Sequence, residues 1–540
     1  MSVARPEHPP RELSWSGWGD PDQASPLPEA VHTLLRQALG VRTPLPAPAA
    51  IDDLALRPIR LAGEVRDELA QIVGSAHARA DAEARVRHLG GKSTIDLLRL
   101  RLRPGDPLTA PDLVLEPASH EEVLAVLECC SRRRVAVVPF GGGTSVVGGL
   151  SPAASGFAGL IALDLRRLNA LTELDEESRL AVLEPGLRGP DAEALLGARG
   201  YTIGHFPQSW EYATLGGFAA ARSSGQASAG YGRFDERVMA LRLATPAGTL
   251  TTGRAPRSAA GPDLRQLVLG SEGTLGVITS LTVMVSPAPE ARVYEGWRLP
   301  SFAAGTSVLR SLVQDGPPAT VLRLSDEAET ALGLARPHQI GEAADGAPDG
   351  CLAIVGWEGL RDDVAARREA TGRRLRAAGA EPVAGAGEGW AEGRYRGPYL
   401  RDALLDAGAL VETLETVTFW SRLPGLYAAV SDALRACLTG LGSPPVILCH
   451  ISHSYPAGAS LYFTVACAAL EDPIAQWRSA KTAAGEAILR AGGSITHHHG
   501  VGTDHVAEYA QEIGPLGLAA LRAVKARLDP EGILNPGILL

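Results

Sequence analysis

Three consecutive histidines, His497, His498 and His499, lie in the segment GGSITHHHGVG of this 540-residue chain. Imidazole side chains donate hydrogen bonds, transfer protons near neutral pH and bind metal ions. In an extended segment His497 and His499 would face one side and His498 the other. A zinc ion usually takes four ligands, which His450 and His453 could complete, but we expect no metal. We assign the run hydrogen-bonding and electrostatic roles, and a purely structural role is the alternative.

Three stretches rich in glycine and small residues could hold a phosphate-bearing cofactor. They read PFGGGTSVVGG (139–149), HFPQSWEYATLGGFAAARSSGQASAGYG (205–232) and GSEGTLGVIT (270–279). Glycine lets the backbone approach a phosphate closely, and successive N–H groups can bind an anion. The first stretch follows a buried strand, but it has neither the Rossmann spacing before a helix nor the lysine of a Walker loop. The stretches therefore predict another kind of cofactor loop, with a flexible turn as the alternative for the first.

Tyr462 and Arg323 stand out because they lie in apolar, strand-like segments, SLYFTVA and TVLRLSD. A phenol has a pKa of about 10 in water, so Tyr462 needs a positive charge or a hydrogen bond to act as a base. An arginine in an apolar strand is costly without a partner. Arg323 therefore either binds a phosphate or carboxylate or forms a structural ion pair, for instance with Asp326. For Tyr462 the alternative is a place in the core.

The elements that must position these residues indicate several domains of mixed α/β structure. From 111 to 165 a strand, a helix and two strands alternate, and short strands with glycine-rich loops continue to about 290. From 291 to 480 long helices alternate with strands, which indicates an α+β region. We predict one helix over 61–90 and a surface loop over 340–350.

Composition excludes several functional classes. The net charge of −10 is spread along the chain, so no basic patch indicates nucleic-acid binding. Six cysteines without a CxxC pair indicate reduced thiols rather than a disulfide framework. The N-terminus lacks an apolar signal core, and no run of about 18 apolar residues predicts a membrane span. We expect a cytoplasmic protein.

The three glycine-rich stretches, in this order, together with the ending LDPEGILNPG, resemble the flavin-binding domain of the vanillyl-alcohol oxidase / p-cresol methylhydroxylase superfamily. The resemblance implies an α+β fold with a PCMH-type FAD-binding domain of two α/β subdomains. It also implies an α+β cap domain with an antiparallel sheet. The implied cofactor is FAD. Covalent attachment through histidine occurs in some relatives, but we expect noncovalent binding here.

The same resemblance implies the residues that contact FAD and the division of the chain. The cofactor contacts would be Pro139, Phe140, Gly141, Gly142, Gly143, Thr144, Ser145, Gln208, Ser209, Thr214, Gly216, Gly217, Ala221, Arg222, Ser223, Ser224, Glu272, Gly273, Thr274, Leu275, Gly276, Val277 and Ile278. The expected parts are an irregular and helical segment (1–105), the FAD-binding domain (106–290), the cap or substrate-binding domain (291–490) and a C-terminal segment that completes the active site (491–540).

Further motifs follow the order seen in the alkyldihydroxyacetonephosphate synthase family. They are WSGWG (15–19), VETLETVTFWSR (411–422), ISHSYPAGASLYF (451–463) and HHHGVG (497–502). This resemblance implies an FAD-dependent transferase of ether-lipid biosynthesis. Such an enzyme exchanges the acyl chain of acyl-dihydroxyacetone phosphate for a fatty alcohol through an adduct at flavin N5, without net redox. It further implies a lipid substrate and a homodimer. Peripheral membrane contact would suit a lipid substrate, but residues 61–80 combine helical spacing with mixed charge, which is more typical of a solvated face.

The family motifs also assign roles to single residues. The resemblance implies catalytic roles for Tyr462, Arg422, His498 and His499, and substrate-binding roles for Arg323, His497, His453 and Tyr455.

The chain departs from the family pattern at several positions. His453 stands where a glutamine is usual, and SSGQASAGYG and TDHVAEY replace segments that usually carry lysine or arginine. Because these changes remove positive charge, they leave the phosphate head group open. The alternative function is an FAD-dependent oxidoreductase of a 2-hydroxy acid or another small alcohol, and a flavin-binding protein without catalysis is the third interpretation.

Overall fold

The N-terminal part of the protein consists of short helices and one short strand. The computed structural model describes residues 3–8, 11–102, 107–333 and 350–540. The first elements are α1 (Glu29–Ala38), α2 (Gly63–Val73), β1 (Ala78–Arg79), α3 (Ala82–Arg87) and α4 (Thr94–Leu102), with 3-10 turns at Pro21–Gln23, Ile51–Asp53 and Ser75–His77. The single helix predicted over 61–90 is wrong. Helix α2 ends at Gly74, whose φ of 86° lies in the left-handed region that glycine adopts without steric cost.

The next elements build a four-stranded sheet in the order β1-β2-β4-β3, in which β2, β4 and β3 run parallel. They are β2 (Leu113–Leu115), α5 (His120–Arg133), β3 (Val135–Phe140) and β4 (Gly159–Asp164). Helix α5 begins where the Ser119 hydroxyl accepts a hydrogen bond from the backbone N–H of Glu122. A distant segment extends the sheet edge, because Val137 exchanges backbone hydrogen bonds with Ile533 and Asn535.

A second, antiparallel sheet of five strands has the order β5-β6-β10-β8-β9. The glycine-rich stretches lie in the connections around these two sheets. The elements are β5 (Leu171–Asp175), β6 (Leu180–Leu183), α6 (Gly189–Gly197), β7 (Tyr201–Thr202), α7 (Leu215–Ala220), α8 (Ser228–Tyr231), α9 (Phe234–Arg237), β8 (Val238–Thr245), β9 (Gly248–Thr252), α10 (Arg265–Val268), β10 (Val277–Met284) and β11 (Ser286–Pro287), the last paired with β7.

A third sheet of seven antiparallel strands has the order β15-β12-β14-β13-β17-β18-β16. Its elements are β12 (Ala291–Leu299), α11 (Phe302–Asp315), β13 (Val321–Ser325), α12 (Glu327–Leu332), β14 (Cys351–Gly359), α13 (Arg361–Ala377), β15 (Glu381–Val383), α14 (Ala386–Gly393), α15 (Gly397–Asp406), β16 (Ala409–Phe419), α16 (Leu423–Gly440), β17 (Val446–Ile451) and β18 (Gly458–Ala468). A core cluster that includes Trp297, Trp357 and Trp477 is packed around this sheet. The three sheets confirm the predicted α+β class.

Two long helices flank the histidine run, α17 (Pro473–Arg490) before it and α18 (Val506–Leu528) after it. Within the described ranges, no helix combines the length and the apolar character that a membrane crossing requires. The surface loop predicted at 340–350 lies outside the described residues, except for Gly350. The four predicted parts of the chain stay a prediction.

Candidate active site

A cavity of about 480 Å³ lies where the glycine-rich stretches meet the seven-stranded sheet. It is lined by every residue predicted to contact the cofactor except Arg222, Thr274 and Leu275. The structure therefore brings the three stretches together around one space, although they are separated by up to about 140 residues in sequence.

The first glycine stretch fits a cofactor loop because its backbone passes very close to the second. A Cβ atom on Gly142 would lie 1.9 Å from the carbonyl oxygen of Tyr212, and one on Gly141 would lie 2.4 Å from Oγ1 of Thr214. Gly143 has a φ of 70°, in the region that favours glycine. Side chains at these positions would displace the second stretch, so the glycines shape a cradle that is open to a flat ligand.

Arg222, Thr274 and Leu275 support the loops instead of lining the cavity. The Arg222 side chain donates to the carbonyl oxygen of Leu269 at 2.8 Å, and Thr274 Oγ1 donates to the carbonyl oxygen of Ser271 at 2.7 Å. The Leu275 side chain is buried. These three positions therefore fix the loop backbone, and the structure gives them no direct contact with the cavity.

A single carboxylate explains the shape of the histidine run. Glu415 on β16 accepts backbone hydrogen bonds from His497 at 2.6 Å, His498 at 3.1 Å and His499 at 2.9 Å. The hydroxyl of Thr496 donates to it as well, at 2.6 Å. Burial raises the pKa of Glu415, but the facing imidazoles and these donors outweigh burial and bring the pKa to about 2. We call residues 496–502 the histidine turn, because the backbone wraps around this carboxylate.

A second carboxylate holds the other end of the histidine turn. Glu272, in the third glycine stretch, accepts backbone hydrogen bonds from Val501 at 2.7 Å and Gly502 at 2.9 Å. Burial raises its pKa to about 7. Asn535 donates to the backbone oxygen of Glu272 at 2.8 Å. The histidine turn is thus tied to the seven-stranded sheet at one end and to a cofactor loop at the other.

The three imidazoles of the turn do not alternate as an extended segment would require. His498 and His499 line the cavity, whereas the His497 ring lies behind it. His497 Nε2 is 2.7 Å from the Tyr455 hydroxyl and 2.9 Å from Nη1 of Arg233. Burial lowers the pKa of all three histidines, to about 4 for His499, so they are neutral at pH 7. His497 and Tyr455 therefore support the cavity wall without lining it.

His453 lines the cavity and is fixed by two hydroxyl groups. Its Nδ1 lies 3.0 Å from Oγ of Ser224 and 2.9 Å from Oγ of Ser228. Its ring stacks on His497 at 4.8 Å. His453, His497 and His498 form a group whose nitrogens lie within 4.8 Å of one another, close enough to share a metal ion. The guanidinium of Arg233 beside His497 opposes a cation at this place.

Tyr462 on β18 lies in the polar part of the cavity, on the strand that the alternation predicts. In the antiparallel register it is opposite Glu415 on one side and His450 on the other, so the three side chains share one face. Its ring stacks on His450 at 4.8 Å and meets His499 edge-on at 5.5 Å. Burial raises the pKa of Tyr462 to about 12, so the free enzyme holds it as a neutral phenol.

Arg323 also lines the cavity, but its charge is already partnered. It forms an ion pair with Glu329 on α12, whereas the sequence suggested Asp326. His450 Nδ1 lies 2.8 Å from Glu329 and 3.1 Å from Arg323. Glu329 therefore holds Arg323 and His450 together in the cavity wall. Asp326 instead caps α12, where it accepts a hydrogen bond from the backbone N–H of Glu329.

The structure does not bring Arg422 to the cavity. Its side chain is exposed at the start of α16 and lies beside Gly492. The reason is local, because the chain leaves β16 at Phe419 and turns into α16 within three residues. The catalytic role predicted for Arg422 gains no support from this position.

An apolar arm extends the cavity away from these polar groups. Helix α1 covers it with Val31, Leu34 and Leu35, together with Leu39 directly after the helix, and Leu400 and Leu404 of α15 contribute a second wall. The third wall is the cavity face of the seven-stranded sheet, with Val411, Val446, Leu448 and Ala466. Because aliphatic side chains line all three walls, the arm suits a hydrocarbon chain.

Sequence reasoning missed the residues that hold the catalytic candidates. Glu415 carried a signal, because a carboxylate inside the apolar strand pattern of 409–419 must find several donors once buried. Arg233 donates to the backbone oxygens of His497 at 3.1 Å and Arg222 at 2.8 Å. No sequence pattern indicates this role of Arg233, because its partners lie up to 264 residues away in the chain.

Comparison with known proteins agrees with this arrangement. The family described as FAD binding domain matches residues 111–254, and the family described as FAD linked oxidases, C-terminal domain, matches residues 288–539. An alkyldihydroxyacetonephosphate synthase of Trypanosoma brucei brucei is 33% identical, over 98% of this chain and 92% of the relative.

Two solved structures share the fold. An alkyldihydroxyacetonephosphate synthase structure matches with a TM-score of 0.80 and 29% identity, covering 97% of this chain and 98% of the other. A p-cresol methylhydroxylase structure matches with a TM-score of 0.64 and 15% identity, covering 89% and 98%. The predicted PCMH-type fold is therefore confirmed, and the domain matches identify FAD as the cofactor.

Proposed function

Because the chain belongs to the alkyldihydroxyacetonephosphate synthase family of FAD-dependent enzymes, we propose that it exchanges the acyl chain of acyl-dihydroxyacetone phosphate for a fatty alcohol. One observation carries the proposal: a single cavity joins the flavin loops, a buried polar group of tyrosine and histidines, and an apolar arm. A hydroxy-acid oxidoreductase needs the first two features, whereas an exchange between two long-chain substrates needs all three.

The cofactor and the cavity residues divide the chemistry. The bound flavin supplies an electrophilic centre and ends the cycle oxidised, so the exchange consumes no electron acceptor. Gly141, Gly142 and Gly143 form a cradle without side chains. The cofactor can therefore lie directly against the backbone of this loop. We propose noncovalent attachment, since His205 is buried outside the cavity lining with its Nε2 3.0 Å from Oγ of Ser223.

Proton transfer falls to Tyr462 and to two of the histidines that line the cavity, His498 and His499. Tyr462 holds a proton at neutral pH and His499 lacks one, so the pair offers a donor and an acceptor within one wall. We propose that His498 or His499 takes the proton from the substrate carbon beside the ketone, while the Tyr462 hydroxyl donates a hydrogen bond to the departing carboxylate. The alcohol oxygen then bonds to the carbon that the carboxylate has left, the alcohol proton leaves with the fatty acid, and the histidine returns its proton to the carbon. Glu415 orients the imidazoles through their backbone.

The long hydrocarbon groups occupy the apolar arm under α1. Burying a methylene group contributes roughly 0.8 kcal/mol, so a long chain binds there with substantial affinity. The finer properties are proposals as well: a homodimer, peripheral contact with a membrane from which lipid enters the arm, and a cytoplasmic location.

The test is an anaerobic exchange assay on the purified yellow protein. Acyl-dihydroxyacetone phosphate and an isotope-labelled long-chain alcohol are supplied without any electron acceptor. Labelled ether lipid, together with an oxidised flavin spectrum at the end, is the expected result. If no ether product forms and small 2-hydroxy acids bleach the flavin instead, the protein is an oxidoreductase and the transferase proposal fails.

A further inference from the structure

Arg394 is a cavity-lining cation that lacks an anionic partner. It follows α14, and among the described residues its guanidinium forms no ion pair with a carboxylate. Its Nη1 is buried and makes no hydrogen bond. The rings of Tyr395, Phe206 and Trp390 surround the guanidinium at 4.9, 5.4 and 5.5 Å. These rings hold the charge in place without neutralising it.

The other arginines of the cavity wall are already committed. Arg323 is paired with Glu329, and Arg401 donates to the Asp402 carboxylate at 2.8 Å and to the backbone oxygen of Lys92 at 2.6 Å. Among the described arginines that line the cavity, Arg394 is therefore the one without a carboxylate partner. This matters more here than in a basic protein, because the chain carries a net charge of −10.

The surroundings place Arg394 at the histidine end of the cavity. Its backbone oxygen accepts a hydrogen bond from Nε2 of Gln226 at 3.2 Å. Gln226 lies between Ser224 and Ser228, the two residues that hold His453. The Oε1 atom of Gln226 is buried without a partner and also belongs to a cavity-lining residue. The two residues that this hydrogen bond joins thus carry one unused donor, Nη1 of Arg394, and one unused acceptor, Oε1 of Gln226.

We propose that Arg394 binds the phosphate of the substrate head group, with Gln226 Oε1 accepting from a hydroxyl or a protonated phosphate oxygen. A guanidinium fork matches two oxygens of a phosphate monoester, and aromatic packing fixes its orientation beforehand. The identity of the ester rests on the proposed function, but phosphate binding by this corner does not. Arg394 supplies the head-group charge that the lysine-poor segments of the chain lack.

The experiment measures binding to the oxidised holoenzyme by the change in the visible flavin spectrum. Inorganic phosphate, dihydroxyacetone phosphate, unphosphorylated dihydroxyacetone and D-lactate are titrated separately into wild type, Arg394→Gln and Arg394→Lys. The matched control is Arg396→Gln. Arg396 is two residues away, donates to the backbone oxygen of Gln23 and packs over Tyr399, and it does not line the cavity.

We expect both phosphate ligands to bind Arg394→Gln about 10- to 100-fold more weakly than wild type, the effect of one charged hydrogen-bonding partner. Arg394→Lys should recover part of the affinity, and Arg396→Gln should behave as wild type with normal FAD content. Dihydroxyacetone should bind all variants alike.

Three results would overturn the proposal. Unchanged phosphate affinity in Arg394→Gln means that the corner does not bind the head group. Loss of FAD in both Arg394 variants assigns the residue to the cofactor site. Selective loss of D-lactate affinity assigns it to a carboxylate. If phosphate affinity depends on Arg394 while the exchange assay yields no ether product, only the proposed reaction is wrong.

Discussion

At the scale of single residues, the candidate site places a group that carries a proton, the Tyr462 hydroxyl, next to a group that lacks one, the His499 imidazole. Burial raises the pKa of Tyr462 to about 12 and lowers that of His499 to about 4. The two rings are 5.5 Å apart, so a proton can pass between them through a bound substrate group. Both groups stay neutral across the physiological pH range. We therefore expect catalysis to depend on the phenolic proton of Tyr462.

Replacing Tyr462 by phenylalanine should keep the fold and the yellow flavin but lower kcat by about 100-fold or more, because a positioned proton donor typically contributes that much. Steady-state exchange kinetics measure the loss. Tyr455→Phe is the matched control, since its hydroxyl contacts His497 behind the wall. Turnover of Tyr462→Phe near the wild-type rate would remove Tyr462 from the mechanism.

Replacing Glu415 by glutamine should loosen the histidine turn. A carboxamide has one oxygen and turns its NH₂ donors toward backbone N–H donors, and each buried donor left unpaired costs about 1–3 kcal/mol. Hydrogen–deuterium exchange should accelerate in a peptide that covers the turn, and kcat should fall more than KM changes.

The control for this variant is Glu412→Gln, three residues earlier on β16. Glu412 accepts from the backbone N–H of Thr94 at 2.7 Å and from that of Thr413 at 2.9 Å, and among the described residues it makes no hydrogen bond to the turn. Replacement of Glu412 should accelerate hydrogen–deuterium exchange at α4 but not in the histidine turn. Equal protection of the turn in wild type and Glu415→Gln would show that other contacts hold it.

At the scale of secondary structure elements, helix α1 closes the apolar arm with one face and meets solvent with the other. Val31 and Leu35 are buried, whereas Arg36 is exposed and pairs with Glu29. The helix thus sets how much hydrocarbon the arm can hold.

Leu35→Trp should shorten the arm by filling it with a larger ring. We expect the KM for a long-chain alcohol to rise several-fold while a short-chain alcohol is used as before. The ratio of kcat/KM for the two alcohols measures the shift. Arg36→Gln, on the outer face, should leave the ratio unchanged, and an unchanged ratio in Leu35→Trp would place the chain elsewhere.

Elements with local signals could be predicted from the sequence, whereas contacts between distant segments could not. Ser119 is a typical N-cap residue and predicts the start of α5. The alternation of apolar and polar residues around Tyr462 predicts β18. The three glycine stretches predicted their cavity because each carries its own pattern. Arg422 and Arg394 show the limit, since the exposed arginine follows a family motif and the cavity-lining one lies in an unremarkable GRYR segment. Only the structure shows which of these two arginines lines the cavity.

At the scale of the whole molecule, many histidines are buried in the neutral form. Burial lowers the pKa of His205 to about 3, of His499 to about 4 and of His505 to about 3. Because the unfolded pKa is about 6.5, the unfolded chain binds more protons below pH 6.5, and stability falls as the pH drops toward 4. Glu272 and Asp326, whose pKa values burial raises to about 7, act in the opposite direction.

His205→Gln should therefore lose less stability on acidification than wild type. Each pKa unit corresponds to about 1.4 kcal/mol, so the difference in apparent Tm between pH 7.5 and pH 5 should shrink measurably. Release of flavin fluorescence on heating reports the Tm. His8→Gln, at an exposed position, serves as control. An equal drop in Tm for His205→Gln and wild type would show that His205 is not buried in its neutral form.

The sheet that carries the first glycine stretch is completed from the far side of the chain. Asn535 reaches back 386 residues to donate to the backbone oxygen of Gly149, and its neighbours pair with Val137 on β3. During translation, the ribosome must make the whole seven-stranded region before this edge can form. We therefore expect flavin to bind late in biosynthesis, and we expect a chain that stops before Ile533 to leave the cofactor cradle incomplete.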